Sequence, residues 1–447
     1  MAYARYNFTN DRARPGRTRS GKNGPEMKFL YRLFGRFGLY LPARVRRTFA
    51  IELLAGTFVA IGSGCFGPYH ALIARQDFQA SEFLIGIMTA GCAVGAMCCL
   101  FATGIIPQGK EKVGYVISNS VARLLIIVMA FCHAAPVFCW MVFFINLFTT
   151  VPGPWYNIMM TRLYPIDLRG RLMGLARLYV SLMGLLTVFL SGRYMHAGGN
   201  WRTVFVVGGA AYVTGTLLYL LWQVPAPDAE EKQLSPLAGI RSAMSVGREK
   251  IHMCLVLLLT ITSVSACVQN IILPIYQSDV LGITPDQLSI LSVITTGTAM
   301  AGYLFWGRLI DKMGAPLIFG LATMTALALP VNYFFAPGYL WLIPGCFFSG
   351  LSAAGTELGW LTTLMEIAGE GNERRVQTFH AFWSGIRILI GICLGVFLIG
   401  YIDSMAVDLK YVFVIVIVLM LSGAVPLMIV TSRFRQTAQQ TGEGDGR

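Results

Sequence analysis

An apolar run of about 20 residues is long enough, as a helix, to cross the hydrocarbon core of a bilayer, and such runs dominate this chain. Twelve can be drawn. The first six are Thr48–Ile73, Phe83–Ile106, Val113–His133, Val137–Met160, Leu172–Met195 and Trp201–Val224. The second six are Ile251–Tyr276, Leu288–Leu309, Pro316–Phe335, Tyr339–Ile367, Phe379–Tyr401 and Tyr411–Thr431. Lipid offers the backbone no hydrogen-bond partner, so each run must satisfy itself as a helix. The expected fold class is all-α and integral to a membrane. A chain that is 55% hydrophobic and 13% charged, with a mean hydropathy of +0.62, is no water-soluble protein. The net charge of +13 would suit nucleic acid only if the cations formed a patch, and they sit between the apolar runs and in one tail; no nucleic-acid partner is expected. The ten cysteines all fall inside apolar runs without a CxxC pair, and they read as packing thiols, with no metal site and no cofactor.

The charged segments divide the chain. Residues 1–47 form a basic tail, 48–224 a first set of six spans, 225–250 a polar linker, 251–432 a second set and 433–447 a closing tail. Cationic loops stay cytoplasmic. With the amino end inside, only Arg75, Arg193, Arg202 and Lys410 of the 35 Lys and Arg fall in outer loops, so both termini are expected in the cytoplasm of a multi-pass protein of the plasma or inner membrane. The tail lacks the early apolar core of a signal peptide. Lys28, Arg32 and Arg36 run beside Phe29, Leu33 and Phe37 with a four-residue period, which suits either an interfacial helix lying on anionic lipid or a disordered basic tail.

Landmarks recur between the halves. Pro68 matches Pro274, Gly91 matches Gly297 and Arg169 matches Arg375; Trp155 matches Trp360 and Met160 matches Met365, all at nearly one offset. Six spans return the chain to its starting side, so the two halves enter the membrane in the same direction, as a parallel repeat.

Gly307-Arg308-Leu309-Ile310-Asp311-Lys312-Met313-Gly314, between the eighth and ninth runs, resembles the loop signature of the major facilitator superfamily. Asp167-Leu168-Arg169-Gly170-Arg171 and Trp201-Arg202-Thr203-Val204-Phe205 are similar to that family as well. The corresponding first-half loop, Gly104 to Lys110, has no aspartate. The resemblance covers Thr48 to Thr431 and implies two pseudo-symmetric six-helix bundles that expose a midplane site to each side in turn. It also implies a gating role for Gly307, Asp311, Lys312 and Gly314. Asp311, on a tight glycine turn, is expected to face the positive amino end of a neighbouring helix, which the resemblance implies is the eleventh, with Glu373, Arg374 and Arg375 as partners; the plainer reading is a solvated turn.

A charge inside hydrocarbon costs about 2.5–3.5 kcal/mol on insertion scales, so each needs a reason. Counting about 1.5 Å per residue from the ends of the apolar runs, Arg177 and Glu52 lie close enough to the interface to reach it by snorkelling and are expected to be structural. Arg123, Glu357 and Arg387 lie near mid-depth. The family resemblance makes the third helix peripheral, so Arg123 is expected to prop up a neighbour. It sets Glu357 and Arg387 on cavity-lining helices, where they would bind a polar solute or carry a coupling proton, or else form a buried ion pair with each other. Tyr69 and His70 beside Pro68, Asn146, and Trp155, Tyr156 and Asn157 behind Pro152 and Pro154 are the first-half candidates for substrate contact. Gln269, Asn270 and Trp360 are those of the second. The paired prolines are expected to bend the fourth span, and Pro274 the seventh. Gly91, Gly95, Gly184 and Gly391 are expected to admit close helix approach.

No phosphate-binding loop and no activated nucleophile accompanies these residues, so an enzyme is the least supported class. The expected function is gradient-driven transport of a small polar solute, anionic by the tilt of Arg387, coupled to a proton, by a protein whose partners are solute, proton and lipid. The alternatives are a transporter-like scaffold or receptor that moves nothing, or an efflux antiporter, although the fifth run lacks the Gly-Pro pair of drug–proton antiporters. Oligomeric state is not readable.

Overall fold

The computed structural model describes residues 42–105, 109–225, 241, 244–368, 373–405 and 407–444. The Lys28–Phe37 stripe, most of the linker and part of the Gly104–Lys110 loop lie outside them. The described residues fold into helices without a strand. The first span is Ala43–Phe66, followed across Pro68 by a short helix, His70–Gln76. The second is Glu82–Ile105 and the third Glu111–Met129. The fourth is Ala135–Thr150 and Gly153–Leu163, the fifth Ile166–His196 and the sixth Trp201–Leu218. The seventh, Lys250–Ile275, runs into a π-helical turn at Tyr276–Val280. Then come the eighth, Pro285–Met313, the ninth as Ala315–Thr325 and Ala328–Phe335, and the tenth, Ile343–Ala368. The eleventh is Glu373–Ser404 and the twelfth Tyr411–Gly444. The last helix continues past Thr431 through residues with good helix propensity such as Arg435, Ala438 and Gln439.

Eleven of these spans are both long and apolar enough to cross a membrane. The tenth has the length but is diluted by Gly345, Gly350, Gly355, Gly359, Ser349, Ser352, Thr356 and Glu357. Such a helix is suited to contact with other helices and with solute more than with lipid.

Proline acts differently in the two halves. Pro152 and Pro154 end one fourth-span helix at Thr150 and open another at Gly153, as expected. The seventh span does not break at Gln269, Asn270 or Pro274. Pro274 sits inside a continuous helix, which runs on into a wider π turn at Tyr276–Val280.

The packing obeys the repeat. In the first half the second and third spans pack on the fourth, and the third on the sixth; in the second half the eighth and ninth pack on the tenth, and the ninth on the twelfth. The first span meets the fifth at Gly56–Val180 and the sixth at Gly215–Ala55, as the seventh meets the eleventh and twelfth. The bundles are joined along two seams, second on eleventh and fifth on eighth, which a two-fold axis would interchange. The chain thus forms two six-helix, pseudo-symmetric bundles.

Where the bundles meet is uneven. The end at which the first span begins is called here the N-terminal face, and the other the far face. A single apolar core at the far face takes residues from both bundles, among them Tyr69, Leu72 and Ile73 with Ile271, Ile275, Tyr276 and Leu288. Near the N-terminal face the clusters that can be described, around Phe379, Phe319 and Trp306, belong to the second bundle alone. The halves are closed together at the far face.

Candidate functional site

Between the bundles the fifth and tenth spans bring two charges together. Arg177 Nη1 lies 2.6 Å from Glu357 Oε1, and Tyr303 of the eighth span donates its hydroxyl to Glu357 Oε2. The side chains are 63% and 49% exposed. They belong to different bundles, so the pair bridges the space between the two. Each lies about 16 Å along its helix from the helix end on the N-terminal side, at about 1.5 Å per residue.

This corrects two expectations. Arg177 does not run out to the interface but turns to Glu357 of the other bundle, although its apolar span starts at Leu172 as the sequence implied. Glu357 does not pair with Arg387. Arg387, on the eleventh span, is buried at 9% exposure, and its Nε and Nη1 meet no acceptor among the described residues. On either side of it along the helix, a Cβ at Gly385 would lie 2.5 Å from Met97 of the second span and one at Gly391 2.6 Å from Cys267 of the seventh. The guanidinium thus lies near the seam between bundles.

Glu52 is corrected too. It does not reach the interface but is 4% exposed, with Tyr156 donating to Oε1 at 3.2 Å and Tyr164 to Oε2. Tyr156 is therefore committed to a carboxylate. Arg123 props up a neighbour, donating to the Asn119 carbonyl at 2.9 Å and stacking 4.0 Å above the Tyr212 ring of the sixth span.

The other candidates are dispersed. Tyr69 is fully buried and donates to the Val188 carbonyl at 2.5 Å. His70 stacks on Phe66 at 4.7 Å, and Asn146 donates to the Met88 carbonyl at 2.9 Å. Trp155 and Gln269 are buried, while Asn157 and Asn270 are exposed. Trp360 packs on Phe319 and edge-on to His380. Gly307 to Met313 is the last stretch of the eighth helix, not a loop, and Gly314, at φ 81°, is the turn. Asp311 is exposed and bonds no group among the described residues, while the side chains of Glu373, Arg374 and Arg375 lie outside them. Gly91, Gly95 and Gly391 stand against neighbouring helices, but a Cβ at Gly184 would meet nothing within 4 Å.

The far face carries polar links that the sequence reading passed over as outer-loop charges. Arg75 Nε donates to Asp279 Oδ2 at 2.8 Å, and Gln76 Nε2 donates to the Ile283 carbonyl at 3.0 Å. His196 Nδ1 lies 3.1 Å from Asp286 Oδ1. All three join the first bundle to the second.

The family model described as Major Facilitator Superfamily matches residues 53–266 and again residues 253–446. Among solved structures, the nucleoside transporter NupG has a TM-score of 0.66 at 12% identity, over 85% of this chain and 98% of that one. A bacterial homologue of the human lysosomal transporter Spinster, inward-facing and unoccupied, has a TM-score of 0.60 at 14% identity, over 90% of this chain and 98% of that one. No curated protein matches the sequence significantly. At such identities the solved structures speak for the fold, and the family model, met once in each bundle, speaks for descent: the chain belongs to the Major Facilitator Superfamily, whose members are multi-pass membrane transport proteins.

Proposed function

We propose that the protein carries a small polar solute across the membrane by alternating access, with the N-terminal face in the cytoplasm as its cationic loops require, and that a proton gradient drives it. One observation supports the reading: an inter-bundle ion pair, Arg177–Glu357, stands half exposed on the N-terminal side of an apolar core that joins the bundles at the far face. An ion pair in that place is a latch that a polar solute displaces by offering its own donors and acceptors. Rocking then breaks the far-face links at Arg75, Gln76 and His196 and brings the N-terminal ends together. Arg387 supports an anionic or acceptor-rich solute, because a buried guanidinium with unmatched donors gains most from a ligand that supplies acceptors.

The test is counterflow in proteoliposomes holding the full chain, with labelled nucleosides, carboxylates and sugars as probes. One class should exchange. Arg177→Gln and Glu357→Gln should each slow that exchange, and the charge-reversed pair Arg177→Glu with Glu357→Arg should recover part of it. A folded protein that exchanges none of the panel would return the reading to a scaffold or receptor.

A further inference from the structure

Glu52 is a carboxyl that the ion pairs leave out. It is 4% exposed, nine residues into the first helix. Both oxygens are taken by phenols, Tyr156 on Oε1 and Tyr164 on Oε2, and among the described residues no Lys, Arg or His bonds it. Tyr115 of the third span and Tyr219, just past the sixth, complete the surroundings, with Tyr115 5.8 Å from the Tyr156 ring and 5.6 Å from the Tyr219 ring. On the other helices packed against the first span, Tyr179 is bonded to Thr57 and Tyr212 lies under Arg123. Two cations stand beyond the phenols. Arg123, about two turns along the third span from Tyr115, is spent on Asn119 and Tyr212, and Arg177, on the fifth span that meets the first at Thr57–Tyr179 and Gly56–Val180, is spent on Glu357.

Burying a carboxylate without a cation costs several kcal/mol, and a buried group that only props up helices is better made of glutamine or leucine. A phenol, however, both donates and accepts. Tyr156 and Tyr164 can donate to the carboxylate and can accept from the O–H of the neutral acid, so the cage suits both forms with little rearrangement. Arg177 stands one helix away, on the fifth span, which the first span meets at Thr57–Tyr179 and Gly56–Val180.

We infer that Glu52 is the proton-binding carboxyl of the transport cycle, and that its charge, one helix away from the fifth span, competes with Glu357 for Arg177. A proton adds to one carboxylate oxygen, an O–H bond forms, and nothing is oxidised or reduced. With Glu52 neutral, Arg177 stays on Glu357 and the latch holds. With Glu52 ionised, the first bundle draws Arg177 back and the latch loosens. The place of this step in the cycle rests on the transport reading above; the proton binding itself does not.

Infrared difference spectra of the full-length protein, taken while the pH is stepped from acid to alkaline, test it without any solute. The wild type should lose a protonated-carboxyl band. That band should be missing in Glu52→Gln and retained in Glu357→Gln. A wild type without a titrating band, or a band that survives in Glu52→Gln, overturns the proposal, whatever counterflow shows. Should Glu52→Gln fail to fold, Tyr156→Phe and Tyr164→Phe keep the carboxyl and remove its donors. They should shift the pH at which the band titrates, and an unshifted band in both overturns the proposal. Loss of counterflow in the wild type with the band intact would instead remove the transport reading and leave the proton site standing.

Discussion

Arg75 and Asp279 hold matching places in the two halves and bond each other, Nε to Oδ2, at 2.8 Å. Arg75 belongs to the short helix that follows Pro68, and Asp279 to the π turn that follows Pro274, the two prolines that mark the repeat. A contact between near-equivalent elements lies close to the axis that relates them, where rocking must part it. Arg75 Nη1 is also 3.4 Å from Glu82, so the guanidinium is held by an acid of each bundle.

Arg75→Ala should therefore loosen the far face. A partly exposed pair contributes up to about 1 kcal/mol, or roughly a fivefold change in the ratio of closed to open molecules. Spin labels at the far-face ends of the first and seventh spans, read by pulsed electron resonance, should show more of the longer distances. The exchange Arg75→Asp with Asp279→Arg should reverse the change. An unaltered distribution in Arg75→Ala would mean that the shared apolar core closes the face unaided.

Gly91 and Gly297 are repeat partners that the packing uses differently. A Cβ at Gly91 would lie 2.1 Å from the Phe143 carbonyl oxygen of the fourth span, whereas one at Gly297 meets nothing within 4 Å. The close approach in the second half has moved to Gly350, where a Cβ would lie 2.1 Å from the Thr295 carbonyl oxygen. Gly91→Ala should cost about 1–3 kcal/mol through overpacking, while Gly297→Ala should be neutral or gain up to about 1 kcal/mol from helix propensity. Thermal unfolding in detergent compares them. Equal losses at both positions would contradict the packing described.

These two glycines show where a one-dimensional pattern stops informing. The spans were legible because lipid forces every backbone to bond itself, and the repeat was legible because prolines and tryptophans kept their spacing. Glu357 was legible as a lone acid in an apolar run. Its partner was not, since an apolar run states depth only from its own ends and says nothing of which helix of the other bundle stands opposite. Arg177 was read as turning to the interface because its acid stands on the other bundle, and Arg387 was set beside Glu357 on depth and on the family resemblance. Tyr164 and Tyr303 carried no signal, one lying beyond a run and the other among ordinary aromatics. Arg75 read as an outer-loop charge, and Asp279 carried no signal, because the contact that uses them joins residues 204 positions apart.

Arg123 offers a measure of what a buried cation does inside a bundle. Its guanidinium lies 4.0 Å from the Tyr212 ring centroid, and its Nε has no acceptor among the described residues, so the ring face is a main compensation for lost water. A desolvated cation–π contact is worth about 2 kcal/mol. Tyr212→Leu should therefore destabilise the protein, and Arg123→Met should cost less, because it removes the charge along with the need to compensate it. A double-mutant cycle on unfolding should give a coupling of about 1–2 kcal/mol. Additive effects would show that the third and sixth spans are held by packing alone.

The loop before the twelfth span provides a prediction in pH. Asp408 accepts from the Lys410 backbone N–H at 3.0 Å and lies 3.0 Å from Lys410 Nζ. The backbone bond, followed by the ammonium, holds the carboxyl below its ordinary range. A carboxyl depressed in the fold contributes stability above its unfolded pKa and loses it as the pH falls through the folded one. The side chain is 48% exposed, so the contribution should be a few tenths of a kcal/mol. Asp408→Asn should therefore unfold slightly earlier than wild type at neutral pH, and the two curves should converge as acid protonates Asp408. High salt should shrink the ammonium's part of the difference while leaving the backbone bond in place. A gap between the two proteins that widens in acid would reverse the sign required and show that Asp408 is strained, not stabilised, by its loop.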